Sequence, residues 1–335
     1  MNNRPAAFFM RKFALFSLPF WVLFLCYVYF DPFKVIYSYD DYNKDYVAIP
    51  NRDVMSTRVF LSNYKQYHYR SFILGNSRTL AFLTADWKQW INDPVPFKFD
   101  AASESIFGLW SKLKFLNAHC DSIDNVLIVC DGPLLRRTRD SKGPLFIKDY
   151  KVSGNSVFTF HWTFLKAWLT DLFFVKYIDY KVFHKFRFYM NGALDNRKIR
   201  FTPVTNDLLI QDQQEAVATN PEKYYAEHLS LFYKRDTVKH EGEAVLGEEE
   251  IAMLKEMKLI FDQHKTKYRF IISPLYDQIS LNDADLDILI HIFGKGTVAD
   301  FSGINQFTSD YHNYYEISHY RIEVGRALMK EIYSK

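Results

Sequence analysis

A chain of 335 residues, 48% of them apolar, can build one large domain or two small ones and has ample material for a buried core. Its net charge of +3, with Lys and Arg scattered along the chain, excludes the basic face of a nucleic-acid-binding protein. Three cysteines exclude a disulfide framework, and the absence of a C-x-x-C pair excludes a zinc ribbon or a thioredoxin-like motif; an exported domain permits a Cys120–Cys130 bridge, but two unpaired thiols are expected.

Residues 13–30, FALFSLPFWVLFLCYVYF, carry no charge. As a helix they span about 27 Å, enough for a bilayer core. Arg4, Arg11 and Lys12 precede the run and Asp31 follows it, so the positive-inside bias predicts a cytoplasmic tail at 1–12, an anchor at 13–30 and an exported remainder. A cleaved signal peptide needs a shorter apolar region and small residues at its cleavage site, whereas Tyr27 to Phe30 are bulky. A lipoprotein signal at Cys26 fails on Phe24 and Leu25, and the charge asymmetry argues against a buried soluble helix. The expectation is a single-pass membrane protein whose domain lies on the periplasmic side of a bacterial inner membrane.

Residues 31–68 are polar and Tyr-rich and read as a connector from membrane to domain. Ser71 to Leu74 predicts a strand entering a turn at Gly75, and Ile106 to Asn117 has helical spacing. Val126 to Cys130 predicts a second buried strand, stopped by Asp131-Gly132-Pro133. Glu248 to His264 predicts a helix with three glutamates in its first turn, and Tyr268 to Ile272 a strand. A helix over 286–293, a short strand over 297–301 and a final helix over 322–333 complete the pattern. Apolar strands alternating with helices indicate an α/β domain over 69–335, with a parallel sheet covered on both faces. An insertion at about 148–243 interrupts the rhythm; its aromatic stretch 157–186 reads either as an amphipathic helix on the membrane surface or as a helix packed on the sheet or roofing a cleft.

Ligands in such sheets sit at the carboxyl ends of strands. Gly75-Asn76-Ser77-Arg78 follows the first strand, and Gly75 permits a sharp turn that lifts Ser77 to the strand tip. Glu316 and His319, before the last helix, are three residues apart, so the carboxylate can meet the imidazole within one turn. A serine nucleophile needs such a base and orienting acid. Asp310 is the alternative acid and His312 the competing base.

Gly75-Asn76-Ser77 resembles the opening G-D-S motif of SGNH (GDSL-type) hydrolases, with Asn76 for the aspartate, and Glu316-Ile-Ser-His319 resembles their closing D-x-x-H, with glutamate for aspartate. The resemblance covers roughly Ser71 to Tyr333, the insertion being unmatched. It implies a flavodoxin-like three-layer sandwich around a central parallel sheet, a catalytic Ser77, His319 and Glu316, and esterase or acyltransferase activity on acylated carbohydrate or polymer, with no cofactor or metal. Backbone amides of Ser77, Ser103 and Glu104 are the expected oxyanion donors. The family's second oxyanion glycine has no counterpart near Asp100 to Glu104, and its asparagine has none near Val129 to Gly132. The anchored topology and G-x-S-R resemble members acting beside membrane-bound O-acyltransferases; there Arg78 would hold an acceptor carboxylate or phosphate, or else form a structural ion pair. The alternative is an inactive scaffold of the same fold in cell-envelope assembly, which the missing glycine and asparagine favour.

Gly294-Lys-Gly296-Thr-Val-Ala299 fits a dinucleotide fingerprint, but a helical stretch precedes it and a strand follows, so it predicts an ordinary turn. A metal set from Asp310, His312, Glu316 and His319 lacks the second E-x-x-H that di-iron helices need.

Overall fold

The structure is a computed structural model and describes residues 4–42 and 46–334. Residues 1–3 of the expected tail, Asn43 to Asp45 of the expected connector and Lys335 lie outside the described residues, as do the side chains of residues 4–7, Arg4 among them.

Helix α1 (Arg4–Phe30) contains a stretch, Phe8–Phe30, long and apolar enough to cross a membrane. The region expected to be a connector holds helix α2 (Arg52–Tyr67), whose first nine residues are buried. Met55, Val59 and Phe60 enter the main core. Its inward face is also charged, which hides the apolar period: Arg52 pairs with Asp100 at 2.8 Å and Arg58 with Asp149 at 2.7 Å. The domain therefore starts before residue 69.

Five strands form a parallel sheet in the order β2-β1-β3-β4-β5: β1 (Ser71–Gly75), β2 (Phe97–Lys98), β3 (Asn125–Cys130), β4 (Lys267–Ile272) and β5 (Val298–Asp300). The protein is thus α/β. Every residue of β1 and β3 is buried, which explains their unbroken apolar character. Helix α3 (Ile106–His119) connects β2 to β3, with Ser105 capping Gly108 N–H.

The insertion is built of two parts. Helices α4 (Val157–Leu169) and α5 (Phe173–Phe183) form a hairpin, broken where Asp171 and Leu172 adopt positive φ. The hairpin packs on the end of α1 and not on the sheet: Phe160, Phe164, Trp168 and Tyr177 cluster with Tyr27. Next, Ile199–Phe201 pairs antiparallel with Leu208–Ile210, and helices α6 (Gln211–Thr219) and α7 (Pro221–His228) follow.

Helix α8 (Glu248–His264) starts with glutamates at the positive end of its dipole, as its sequence predicts. Helices α9 (Asp283–Phe293) and α10 (Ile322–Tyr333) complete the fold. Side-chain alternation divides the core between the two faces of the sheet. Phe72, Leu74, Val126 and Ile128 meet residues of α2, α3 and α8, whereas Ile73, Leu127, Val129 and Ile271 meet Val324, Leu328 and Met329 of α10.

Candidate active site

The site grows from the carboxyl end of β1. Gly75 has φ of +147°, and a Cβ there would lie 2.2 Å from the Val129 carbonyl oxygen of the neighbouring strand, so only glycine fits. Asn76 then caps the turn: its Oδ1 accepts from Arg78 N–H at 3.0 Å. Ser77 opens a short 3-10 helix, Ser77–Ala81. As its first residue, Ser77 presents a backbone N–H with no intrahelical acceptor. Thr79 ties the turn down, donating to Asp100 Oδ2 at 2.8 Å, while Asp100 also takes the Arg52 ion pair. On the other side, a Cβ at Gly325 would come within 2.0 Å of the Ala81 carbonyl oxygen, so α10 can press against the serine turn only because it carries glycine there.

His319 and Glu316 are cross-strand partners in a tight antiparallel hairpin, Tyr314–Glu316 with His319–Tyr320. His319 Nδ1 hydrogen-bonds Glu316 Oε1. A carboxylate only accepts, so Nδ1 carries a proton, and in the neutral imidazole Nε2 is then the acceptor. His319 Nε2 lies 2.8 Å from Ser77 Oγ, and in that neutral form the serine hydroxyl donates to it. The second Glu316 oxygen accepts from Ser318 N–H at 2.7 Å. Partial burial acts to raise the Glu316 carboxyl, but its bonds from His319 and Ser318 and the charge of Arg78 hold it below the ordinary glutamate value.

The three residues open on a cavity of about 970 Å³ at the rim of the sheet. Leu80, Ala102 and Ser103 line it together with Ile210, Ala216 and Tyr224 of the insertion. The 208–228 segment therefore lines the cavity, and the aromatic hairpin does not. That segment also braces the hairpin that carries His319: Tyr224 Oη donates to Tyr315 O at 3.0 Å, and the single Tyr225 hydroxyl proton is shared between His312 O at 2.7 Å and Tyr314 O at 2.9 Å.

The other expected residues are distributed differently. Ser103 lines the cavity with φ of +51°. Glu104 turns its carboxylate into the core, where it binds Lys148 and, at 2.7 Å, Lys112, so it does not line the cavity. Asp310 and His312 pair with each other at 2.7 Å on the surface, apart from Ser77. Arg78 stands 3.5 Å from Asp131, the ion-pair arrangement, and is not in the cavity wall. Among the described residues no cluster of three His, Cys, Asp or Glu side chains is placed to hold a metal, and the three thiols are free.

One contact has no signal in the sequence. Asn76 Nδ2 donates to Asp131 Oδ2 at 2.6 Å, with both side chains buried. The tips of β1 and β3 are joined by an amide–carboxylate pair from positions 55 residues apart. Comparison of the chain with family models, with curated proteins and with solved structures finds no match.

Proposed function

We propose that the chain is a membrane-anchored serine esterase or O-acyltransferase of the SGNH type, acting on acyl esters of extracytoplasmic carbohydrate or cell-surface polymer. The observation that carries this reading is the 2.8 Å contact of Ser77 Oγ with His319 Nε2, with Glu316 on the other ring nitrogen, at the mouth of a large cavity. In the proposed cycle Ser77 Oγ attacks the acyl carbon while His319 takes its proton. The N–H groups of Ser77 and Ser103 stabilise the oxyanion. Imidazolium then protonates the leaving alcohol. Water or a sugar hydroxyl, deprotonated by His319, attacks the acyl-enzyme and frees Ser77.

The order of β1–β5, with both faces covered, fits the flavodoxin-like three-layer sandwich that the resemblance implies. Arg11 and Lys12 before the apolar run and Asp31 after it support a cytoplasmic N-terminus and a periplasmic domain in a bacterial inner membrane. A membrane-bound O-acyltransferase is the proposed partner. Two of the departures from the family pattern touch each other: Asn76 replaces an aspartate, and Asp131 lies in the Val129 to Gly132 stretch where the family's asparagine is expected. The pair keeps one amide and one carboxylate with their positions exchanged.

That exchange also favours a second reading, an envelope scaffold without turnover, because the Asp131 carboxylate cannot donate to an oxyanion. Hydrolysis of p-nitrophenyl acetate by the full chain in detergent separates the two. The enzyme reading expects turnover lost in both Ser77→Ala and His319→Asn. Wild-type turnover equal to that of Ser77→Ala overturns it.

A further inference from the structure

We infer that the hairpin α4–α5 is a second membrane element, sunk into the outer part of the leaflet beside α1 and facing lipid with its free side. The inference does not depend on the serine chemistry.

The first support is depth. The uncharged run of α1 begins at Phe13, after Arg11 and Lys12. At about 1.5 Å per residue, Leu23 is about 15 Å further along and Phe30 about 25 Å. A hydrocarbon core is about 30 Å thick. The hairpin grips α1 within this interval: Trp168 Nε1 donates to Leu23 O at 3.0 Å, and the ring of Tyr177 lies against Phe30 with centroids 5.9 Å apart. Lifting the hairpin clear of the hydrocarbon would draw Arg11 and Lys12 more than 10 Å into it, and charges there are expensive. Sinking the hairpin avoids that burial.

The second support is the hairpin surface. Its inner side is already spent on Phe160, Phe164, Trp168 and Tyr177. The outer side is apolar as well: Phe158, Trp162, Leu172, Val182 and Phe183 are 51–74% exposed, and Phe188 just beyond is 89% exposed. Large apolar side chains exposed on both helices and beyond call for cover by protein or by lipid. Five cations, Lys166, Lys176, Lys181, Lys185 and Arg187, face only Asp171 and Asp179 in this segment. Lysine and arginine stems reach from such a depth to phosphate, which suits anionic headgroups.

The test uses the full chain in nanodiscs of phosphatidylethanolamine and phosphatidylglycerol, in a Cys26→Ala background. Nitroxides are attached at Phe158→Cys, Phe183→Cys and Phe188→Cys. Phe16→Cys on the exposed flank of α1 serves as the lipid standard, and Leu259→Cys on α8 as the water standard. Collision with oxygen reports lipid, and collision with a water-soluble nickel chelate reports solvent. The inference expects the oxygen-to-nickel ratio at 158 and 183 to match position 16 and exceed position 259 severalfold. A ratio equal to that at 259 overturns it, as does a solvent reading at position 16, because the seat rests on the anchor. Labels shielded from both reagents indicate cover by protein and equally overturn the lipid assignment.

Discussion

Replacing Asn76 with aspartate sets two carboxyl groups against each other in the space that now holds a 2.6 Å hydrogen bond to Asp131. The introduced group has a way out, since it can take a proton. At pH 7 that costs about 1.4 kcal/mol for each unit above an ordinary pKa of about 3.9, or about 4 kcal/mol. This sets a ceiling, because the two groups stay charged only where that costs less than protonation. Arg78, 3.5 Å from Asp131, offsets part of the repulsion. Asn76→Asp should therefore destabilise the protein by about 2–4 kcal/mol at pH 7. The folded pKa of the introduced carboxyl lies above its unfolded value, so its protonated contact with Asp131 is complete below about pH 4 and is lost as pH rises through the folded value. Urea unfolding of the detergent-solubilised chain, followed by tryptophan fluorescence at pH 4 and pH 7, measures both points. The exchanged double variant Asn76→Asp/Asp131→Asn should recover all but about 1 kcal/mol at pH 7. A loss independent of pH, or an exchanged pair no more stable than the single variant, would refute the reasoning.

Gly75→Ala forces a Cβ to within 2.2 Å of Val129 O at a φ of +147°, and should cost more than about 3 kcal/mol in the same unfolding assay or prevent folding altogether. Tyr225→Phe removes the one hydroxyl proton that His312 O and Tyr314 O share at the start of the hairpin that carries His319; a loss of about 1 kcal/mol, with faster amide exchange over 314–320, is expected. Glu316 has a depressed carboxyl pKa, so its contribution to stability is present above about pH 4.5 and is lost as pH falls through the lower folded value. Acid titrations of wild type and Glu316→Gln should differ near neutrality and converge in acid.

Local signals in the chain locate much of this structure. Helix α8 begins and ends where its glutamates and its three- and four-residue apolar steps place it. The apolar runs at β1 and β3 mark strands buried on both faces, as does the Phe270 to Ile272 half of β4, and the rule that ligands gather at strand tips is what relates Ser77 to His319 across 242 positions. Helix α2 escapes such reading because Arg52, Asp53 and Arg58 are buried through ion pairs that only the tertiary fold supplies. Strand β2 is two residues long, and its Lys98 is buried against Asp207 at 2.9 Å, so neither length nor hydropathy reveals it. The Glu104 side chain turns inward for the same reason, drawn by Lys112 and Lys148. The bracing by Tyr224 and Tyr225 depends on where an insertion lands on the sheet, which no local pattern encodes.

The central claim is that Ser77 is a nucleophile activated by His319 and Glu316. Treating the full chain with a fluorophosphonate and locating the adduct by mass spectrometry tests it most directly. The account predicts a single adduct on Ser77, absent in Ser77→Ala and formed at least about a hundredfold more slowly in His319→Asn. An unmodified Ser77 in the folded wild-type protein, or labelling that ignores the loss of His319, would contradict it.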